Sequence, residues 1–377
     1  MNGGITKVAG VCLALAALGV GQAAYGGGSV VAWGAGQCGQ SGYYDQGQSC
    51  MSAPNSGFVA VAGGAWHSLG LKADGSIVAW GDNTSGQCNV PAPNSGFVGV
   101  AGGEWSSFGG HSLGLKGDGA IVAWGYNADG ECNVPAPNSG FIAVAAGLVH
   151  SLGLKADGSI VALGYNVQGQ CNVPAPNSGF VAVAGGHWHS LGLKADGSIV
   201  AWGYNADGEC NVPAPNSGFV AVAAGHEHSL GVKADGAIVA WGYNGFGQCD
   251  VPVPNSGFVA AAGGGYFSLG LKTNGSIVAW GDNGPGDPPA PNSGFVAVAA
   301  GMFHSLGLRV YPLGDLNCDC RVTFADIDAF VLALWGPAAY HEQYPDCDWL
   351  NGDCNGDGHV TFADIDPFVA LIGTTCP

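Results

Sequence analysis

The chain has 377 residues, 69 of them Gly, with 9 Lys+Arg against 27 Asp+Glu and a formal net charge of −18. So acidic a chain repels a phosphate backbone, whose binding rests on Lys and Arg displacing counterions. Nucleic acid is therefore a poor partner, and an anionic membrane surface is equally poor.

In chain order the first element reads as a signal peptide over residues 1–24. Lys7 precedes the apolar run "VAGVCLALAALGVG" (8–21), and the small residues Ala23 and Ala24 follow where cleavage would occur. The run is shorter than the roughly 20 apolar residues that span a bilayer. Cys12 lies inside it rather than after it, which does not fit a lipoprotein signal. Gly, Asn, Asp and Pro interrupt every later apolar stretch, so no membrane insertion is expected. The expected destination is the periplasm, cell surface or medium of a bacterium.

From residue 29 to 310 three short pieces recur seven times each. "PNSGF" precedes a strand of the type "FVAVA" (a), "SLGL" begins a second (b), and "IVAWG" forms a third (c). Each is short, rich in β-branched and aromatic residues, and bounded by Gly, Asn and Pro. The "KADG" between b and c carries the Asp-Gly signature of a hairpin turn. "CNVP" is expected to add a short outer fourth strand. Both faces of strand c are apolar, as in a sheet packed between two neighbours. Repetition of such sheets builds a β-propeller, here with seven blades. The chain enters with a lone c strand, "SVVAWG" (29–34), and the repeats end with a and b only. The N-terminal strand is thus expected to complete the last blade and remove a free edge. Cys88, Cys132, Cys171, Cys210 and Cys249 occupy one place in successive repeats, too far apart around a ring for the Cα limit of about 7 Å in a disulfide. Cys38 and Cys50, inside one insertion, are the better disulfide pair.

The pattern "VAVAGGxxHSLGLKADGSIVAWGxNxxGQ" resembles the regulator-of-chromosome-condensation repeat, whose members build seven-bladed propellers. The 39-residue period with "GQCNVPAPNSGF" as connector is similar in style to the secreted β-lactamase inhibitory proteins of the second type. The resemblance covers about residues 29–310 and implies fold more than function, because the family includes exchange factors and inhibitors alike.

The copies differ mainly at one end. The b–c turn stays nearly constant, whereas the a–b loop changes from Ala65-Trp66 to Leu148-Val149, His187-Trp188, His226-Glu227 and Met302-Phe303. Five extra residues (106–110) enter one a–b loop, and other length changes fall in the c–d connections at the same end. Trp66, Trp105, Phe108, Trp188, Tyr266, Phe267 and Phe303 are the expected partner-binding residues, since aromatic rings dominate interface hot spots. No catalytic residue is expected. "HS" occurs six times, but adjacent strand residues point to opposite faces and cannot pair as nucleophile and base. "HWH" (187–189) and "HEH" (226–228) each include the repeat's structural His, so metal binding there is not the expectation. No pair of acids stands out for glycosidase chemistry.

Residues 311–377 differ in composition from all that precedes. "DLNCDCRVTFADIDAFVLAL" from Asp315 and "DCNGDGHVTFADIDPFVALI" from Asp353 match each other. Both fit the oxygen-ligand spacing of an EF-hand-type loop. The first offers Asp315, Asn317, Asp319, the Arg321 carbonyl and Asp326; the second offers Asp353, Asn355, Asp357, the His359 carbonyl and Asp364. These ligands suit Ca²⁺, and two sites are expected. Thr323 and Thr361, each three residues before an Asp, read as capping-box helix starts. Cys320 replaces the turn Gly, and Pro367 falls past the first helical turn. Two loop-plus-helix units in about 60 residues resemble a dockerin module, which implies calcium-dependent docking to a cohesin-like partner.

The sequence thus describes a mainly β protein, a seven-bladed propeller closed by an N-terminal strand, with a small helical calcium-binding module at its C-terminus. Its expected role is that of an exported, non-catalytic binder of a protein or glycan, tethered by its tail. The alternatives are a carbohydrate-active enzyme delivered by that tail and a structural cell-surface protein.

Overall fold

A computed structural model describes residues 28–39, 44–51, 55–103, 109–282, 286–344 and 347–376. The expected signal segment 1–24, and with it Cys12, lies outside these, as do Trp105 and Phe108. Among the described residues no helix is long and apolar enough to cross a membrane.

The repeats fold as antiparallel three-stranded sheets. In the first, Phe58–Gly63 pairs with His67–Lys72, which pairs with Ile77–Gly81. The described residues make seven such sheets, the repeated blades of a β-propeller. Six are continuous in sequence. The remaining one takes its third strand from the other end of the chain, Ser29–Gly34 pairing with His304–Arg309. Neighbouring sheets pack face to face, and Phe58–Gly63 lies against both Phe295–Ala300 and His304–Arg309. The apolar core sits in these seams. Leu69, Leu71 and Ile77 of one sheet, for example, pack with Phe97, Val100 and Trp124 of the next.

The expected fourth strand is absent. "CNVP" turns instead, the Val90 amide donating to the Cys88 carbonyl at 3.1 Å. One side chain takes over the edge. Asn94 Oδ1 accepts from the Ile77 amide and its Nδ2 donates to the Ile77 carbonyl, both at 2.8 Å. The same double bond recurs from Asn55 to Val30 and from Asn292 to Ile277. It supplies the pairing that an edge strand would, which explains the repeated "PNSG". The cysteines beside it are free, with the Cys88 thiol donating to the Asp82 carbonyl at 3.2 Å.

Two other repeated features follow from close approach. A Cβ at Gly70 would stand 2.4 Å from the Phe58 ring, so only Gly allows that ring to lie flat across strand b. The Lys72 ammonium covers the ring's other face at 3.8 Å from its centroid. Six Lys and Arg309 are placed this way. Most of the nine basic residues are therefore absorbed by the fold, and little positive charge is free for partners.

The "HS" dipeptides serve neighbouring sheets. His67 Nε2 meets Ser112 Oγ of the next sheet at 2.9 Å, and that hydroxyl donates to the Gln87 carbonyl at 2.9 Å. Because the hydroxyl proton is used, the imidazole must donate from Nε2. Equivalent bonds join His111 to Ser151, His150 to Ser190, His189 to Ser229, His228 to Ser268 and His304 to Ser68. Burial holds His67 down to about 4, and burial with a neighbouring His holds His304 down to about 3. All are neutral at ordinary pH. The in-strand pairing excluded from sequence is indeed not made; the pairs form across seams, where they are buried clasps.

One clasp is missing. Phe267 replaces the His, and Ser305 Oγ is buried without a hydrogen-bond partner. This contrast generates a prediction. Ser112→Ala leaves a buried imidazole donor unsatisfied and should cost about 1–3 kcal/mol. Ser305→Ala removes an already unpaired hydroxyl and should change stability by less than about 0.5 kcal/mol. Urea unfolding of the two variants compares them directly; equal losses would contradict the clasp.

Candidate functional site

Strand direction puts the a–b loops and the connections after strand c at one end of every sheet. At this end the two variable positions of each a–b loop divide. The first (Ala65, Leu148, His226, Met302) is buried, with His187 half-buried, while the second (Trp66, Trp188, Glu227, Tyr266, Phe303) is half-exposed. Val149 departs from this and is buried. Phe267 was expected on this face, but it stands at the structural His position of strand b, 2% exposed. It packs in a seam with Trp33 and Phe295 and is not available to a partner. Gly265 fills the first variable position and extends the Gly pair to three, so that Tyr266-Phe267 was read as the loop pair in place of Gly265-Tyr266.

The exposed rings gather into two groups. Tyr44 lies 4.5 Å from Phe303 and 6.5 Å from Trp66, centroid to centroid. A longer group runs from Tyr204 and Trp188 through His187 and His226 to Tyr266 and Phe246. Tyr243 joins it 6.2 Å from Tyr266. Sequence reasoning missed Tyr44 and Tyr243, although both lie in the connections after strand c that it had marked as variable.

Two acidic residues at this end have structural places. Glu131 and Glu209 are buried, and burial raises both carboxyls. Each takes the place of Gln87 or Gln170 and does the same work: its backbone carbonyl accepts the Ser hydroxyl, and its carboxylate accepts an amide two residues back. A sheet bearing Gln170 lies between them.

The C-terminal module packs around its own core, in which Phe330 and Phe368, equivalent residues of the two units, stack at 5.1 Å. Both capping boxes form, at Thr323/Asp326 and Thr361/Asp364. A 3-10 turn precedes each helix, Ile327–Ala333 and Ile365–Leu371. Pro367 therefore lies within the first turn of its helix, where an N–H has no intrahelical partner, and it costs nothing there. This corrects the sequence expectation.

The two loops share one hydrogen-bond scheme. Asp326 Oδ1 accepts from the Leu316 and Asn317 amides, and Oδ2 from Thr323. Asp364 accepts likewise from Asn355 and Thr361. Asp315 accepts from Asp319 and Cys320, and Asp353 from Gly356, Asp357 and Gly358. Asn317, Asp319, Asn355 and Asp357 hold the turns from within, accepting amides two residues ahead. Cys320 does occupy the left-handed region, φ 69° against 85° at Gly358, and is fixed there by a disulfide to Cys376. Asp315 and Asp326 are buried close to one another, as Asp353 and Asp364 are in the second loop, whereas Asp319 and Asp357 are exposed. Burial, then Asp326 and Asp319, push Asp315 up to about 7. Oxygen donors of one sign, crowded and desolvated, fit a hard divalent cation. Arg321 and His359 would contribute only their carbonyls.

The module joins the repeats at the end away from the variable loops. The disulfide sulfur of Cys376 lies 3.4 Å from the Val310 carbonyl oxygen, and Asp348 takes a backbone hydrogen bond from Gly57 near Lys72. Its outward surface is apolar in duplicate: Phe324 and Phe362 are 74% and 76% exposed, Ile327 and Ile365 42% and 41%.

The model of the Regulator of chromosome condensation (RCC1) repeat matches residues 58–87, 180–209, 219–248 and 258–286. A search of curated proteins finds no significant match. Among solved structures the chain is similar to Prp20p of Saccharomyces cerevisiae, studied for its binding to Gsp1p and histones. The TM-score is 0.60 at 17% identity, over 78% of this chain and 94% of that one. It is also similar to the ectodomain of the Physcomitrella patens receptor kinase CR4, with TM-score 0.56 and 25% identity over 66% of this chain and 69% of that one. Human WBSCR16 gives TM-score 0.56 and 18% identity over 75% and 98%. The repeats thus have an RCC1-like propeller fold.

The raised carboxyls set a pH dependence for the module in chelator. With Asp315 raised from 3.8 to about 7, and Asp326 raised in the same direction by burial, the folded module holds protons that the unfolded chain has released. Its stability is therefore greatest below about pH 4 and declines as pH rises towards 7. The helical circular-dichroism signal should melt at lower temperature at pH 7.5 than at pH 5; a rise over that window would overturn the assignment of these groups as buried and unpaired.

Proposed function

We propose that this is an exported, non-catalytic binding protein, a seven-bladed propeller that takes a protein or glycan ligand on its loop face. Its tail, holding two Ca²⁺ ions, tethers it by docking to a cohesin-like partner. The observation that carries this reading is the polarity of the molecule. Length changes, sequence changes and exposed rings collect at one end of the sheets, while the module attaches at the other. A ligand and a tether could then be held together without competing for surface.

Several features support the parts. Disulfides Cys38–Cys50, Cys318–Cys347 and Cys320–Cys376 suit an oxidising compartment. Trp and Tyr at a half-exposed surface provide both apolar area and a polar edge, which serves a protein epitope or a sugar ring. The RCC1-like neighbour Prp20p is described as binding proteins, which favours a protein ligand. In the tail, each ion would bind the folded module alone and stabilise it by mass action. The duplicated Phe324/Phe362 surface would let either unit face the partner.

Two variants separate the surfaces. Trp66→Ala with Trp188→Ala and Tyr266→Ala should abolish retention on proteins or cell-wall glycans of the producing bacterium, with a melting temperature near that of the parent. Phe324→Ala with Phe362→Ala should keep that retention and the uptake of two calcium ions, yet lose chelator-sensitive docking. Calorimetric titration counts the ions, and pull-down reads the rest. Undiminished retention by the first variant would remove the loop face from the account; absence of calcium uptake would remove the tether.

A further inference from the structure

Two histidines on the loop face do not belong to the clasp system. His187 and His226 occupy the first variable position of two consecutive a–b loops, where other copies carry Ala65, Leu148, Gly265 or Met302. The repeat therefore folds without a His at this place. The backbone holds the loops in fixed relation, with the His187 amide donating to the His226 carbonyl at 3.1 Å and the His226 amide to Gly264 at 3.0 Å. The two Nδ1 atoms come to 3.3 Å, and a Glu227 carboxylate oxygen stands 3.8 Å from the His226 Nδ1. All three ligand atoms lie within 4.8 Å of one another.

We infer that His187, His226 and Glu227 form a three-ligand site for a divalent transition-metal ion of the zinc type, at the seam of two sheets, with the fourth position open to solvent. Zinc holds imidazole nitrogen at about 2.0–2.1 Å in tetrahedral geometry, which sets two such nitrogens roughly 3.3–3.4 Å apart. The Nδ1 atoms are already at that spacing. The rings are partly stacked, with centroids 3.7 Å apart and planes 43° to each other, so the lone pairs do not yet converge. Ligation would require the half-exposed His187 ring to turn about its Cβ–Cγ bond. In the absence of metal the two Nδ1 atoms share a hydrogen bond, and the metal ion would take the place of its proton. Asp207 and Glu209 add negative charge beside Glu227. Nitrogen donors select zinc, copper or nickel over Ca²⁺ and Mg²⁺. Both imidazoles are held neutral by burial, as ligation needs. The nearby Cys210 thiol is pushed up to about 12 by burial and so is no competing thiolate.

The test is calorimetric titration of Zn²⁺ into the full-length protein kept in excess Ca²⁺, with the visible spectrum of Co²⁺ as second readout. One ion per chain is expected, with a Co²⁺ spectrum of tetrahedral type. Loss of an outer-shell partner alone weakens metal binding about 10–100-fold, so His187→Ala or His226→Ala should weaken it by at least about 100-fold. Glu227→Gln should weaken it about tenfold, and Cys210→Ser should leave it unchanged. Thermal melting establishes that each variant is folded, and His187→Leu, which copies the loop at Leu148, replaces the Ala variant if that one is not. No zinc uptake by the parent, parental affinity in both folded His variants, or loss of the site in Cys210→Ser would each overturn the inference.

Discussion

The buried hydrogen bond from the His of one sheet to the Ser of the next is the interaction on which the rest of the molecule depends. Each three-stranded sheet is apolar on both faces and cannot be stable alone, so the seams must be filled. Apolar contact fills them but does not fix how two sheets sit against each other. The His–Ser bond does, because it is directional and lies where an unmade bond is expensive. It also dictates its surroundings. The imidazole must be neutral, the hydroxyl needs a carbonyl at Gln87 or its equivalents, and the Trp124 indole shares that carbonyl. The Gly ahead of each His is required because a Cβ at Gly64 would lie 2.2 Å from the His67 ring. These linked demands explain why the same residues are rewritten from copy to copy.

The constraint leaves one end of the sheets free. At the end where the connector and the b–c turn meet, Asn clamps, Phe–Lys stacks and Lys bonds to the Ser56 and Pro93 carbonyls occupy the chain. At the other end only the backbone of the a–b loop is held, through bonds to the adjoining loop, so its side chains can differ without loss of the ring. The aromatic groups and the His187–His226 pair have collected there. The variation on this face is thus a product of where the seams do not need particular residues. Among the described residues, the seam of Phe267 and Ser305 lacks this clasp and is filled by an aromatic ring instead.

The C-terminal module works by a different principle. Its core is small, and the desolvation and mutual repulsion of its buried acids work against folding. Three features offset this: capping boxes at both helix starts, the Phe330–Phe368 stack, and two disulfides. Cys320, in a conformation that ordinarily favours Gly, is retained by one of those disulfides. The buried acids therefore weigh on the stability of the module, whereas the sheets are held by apolar seams and neutral hydrogen bonds.

The strands, their order, the completion of the last sheet by Ser29–Gly34, the two capping boxes and the Cys38–Cys50 pair were all legible in the sequence. Each is encoded by local pattern: alternation, turn residues, a missing third strand, spacing within one loop. The remainder depended on distances between elements that no local pattern records. A single Asn amide replaced an expected strand because it happens to reach strand c. Phe267 proved to be seam rather than surface because Gly265 fills the first variable place of its loop, which puts Phe267 at the position of the clasp His. Cys318–Cys347 and Cys320–Cys376 required the folded tail to bring residues together. His187 was read beside His189, its neighbour in sequence, but its partner in space is His226. A repeat puts equivalent positions side by side across a seam, and it is that lateral adjacency, set by packing of sheet on sheet, that only the tertiary structure decided.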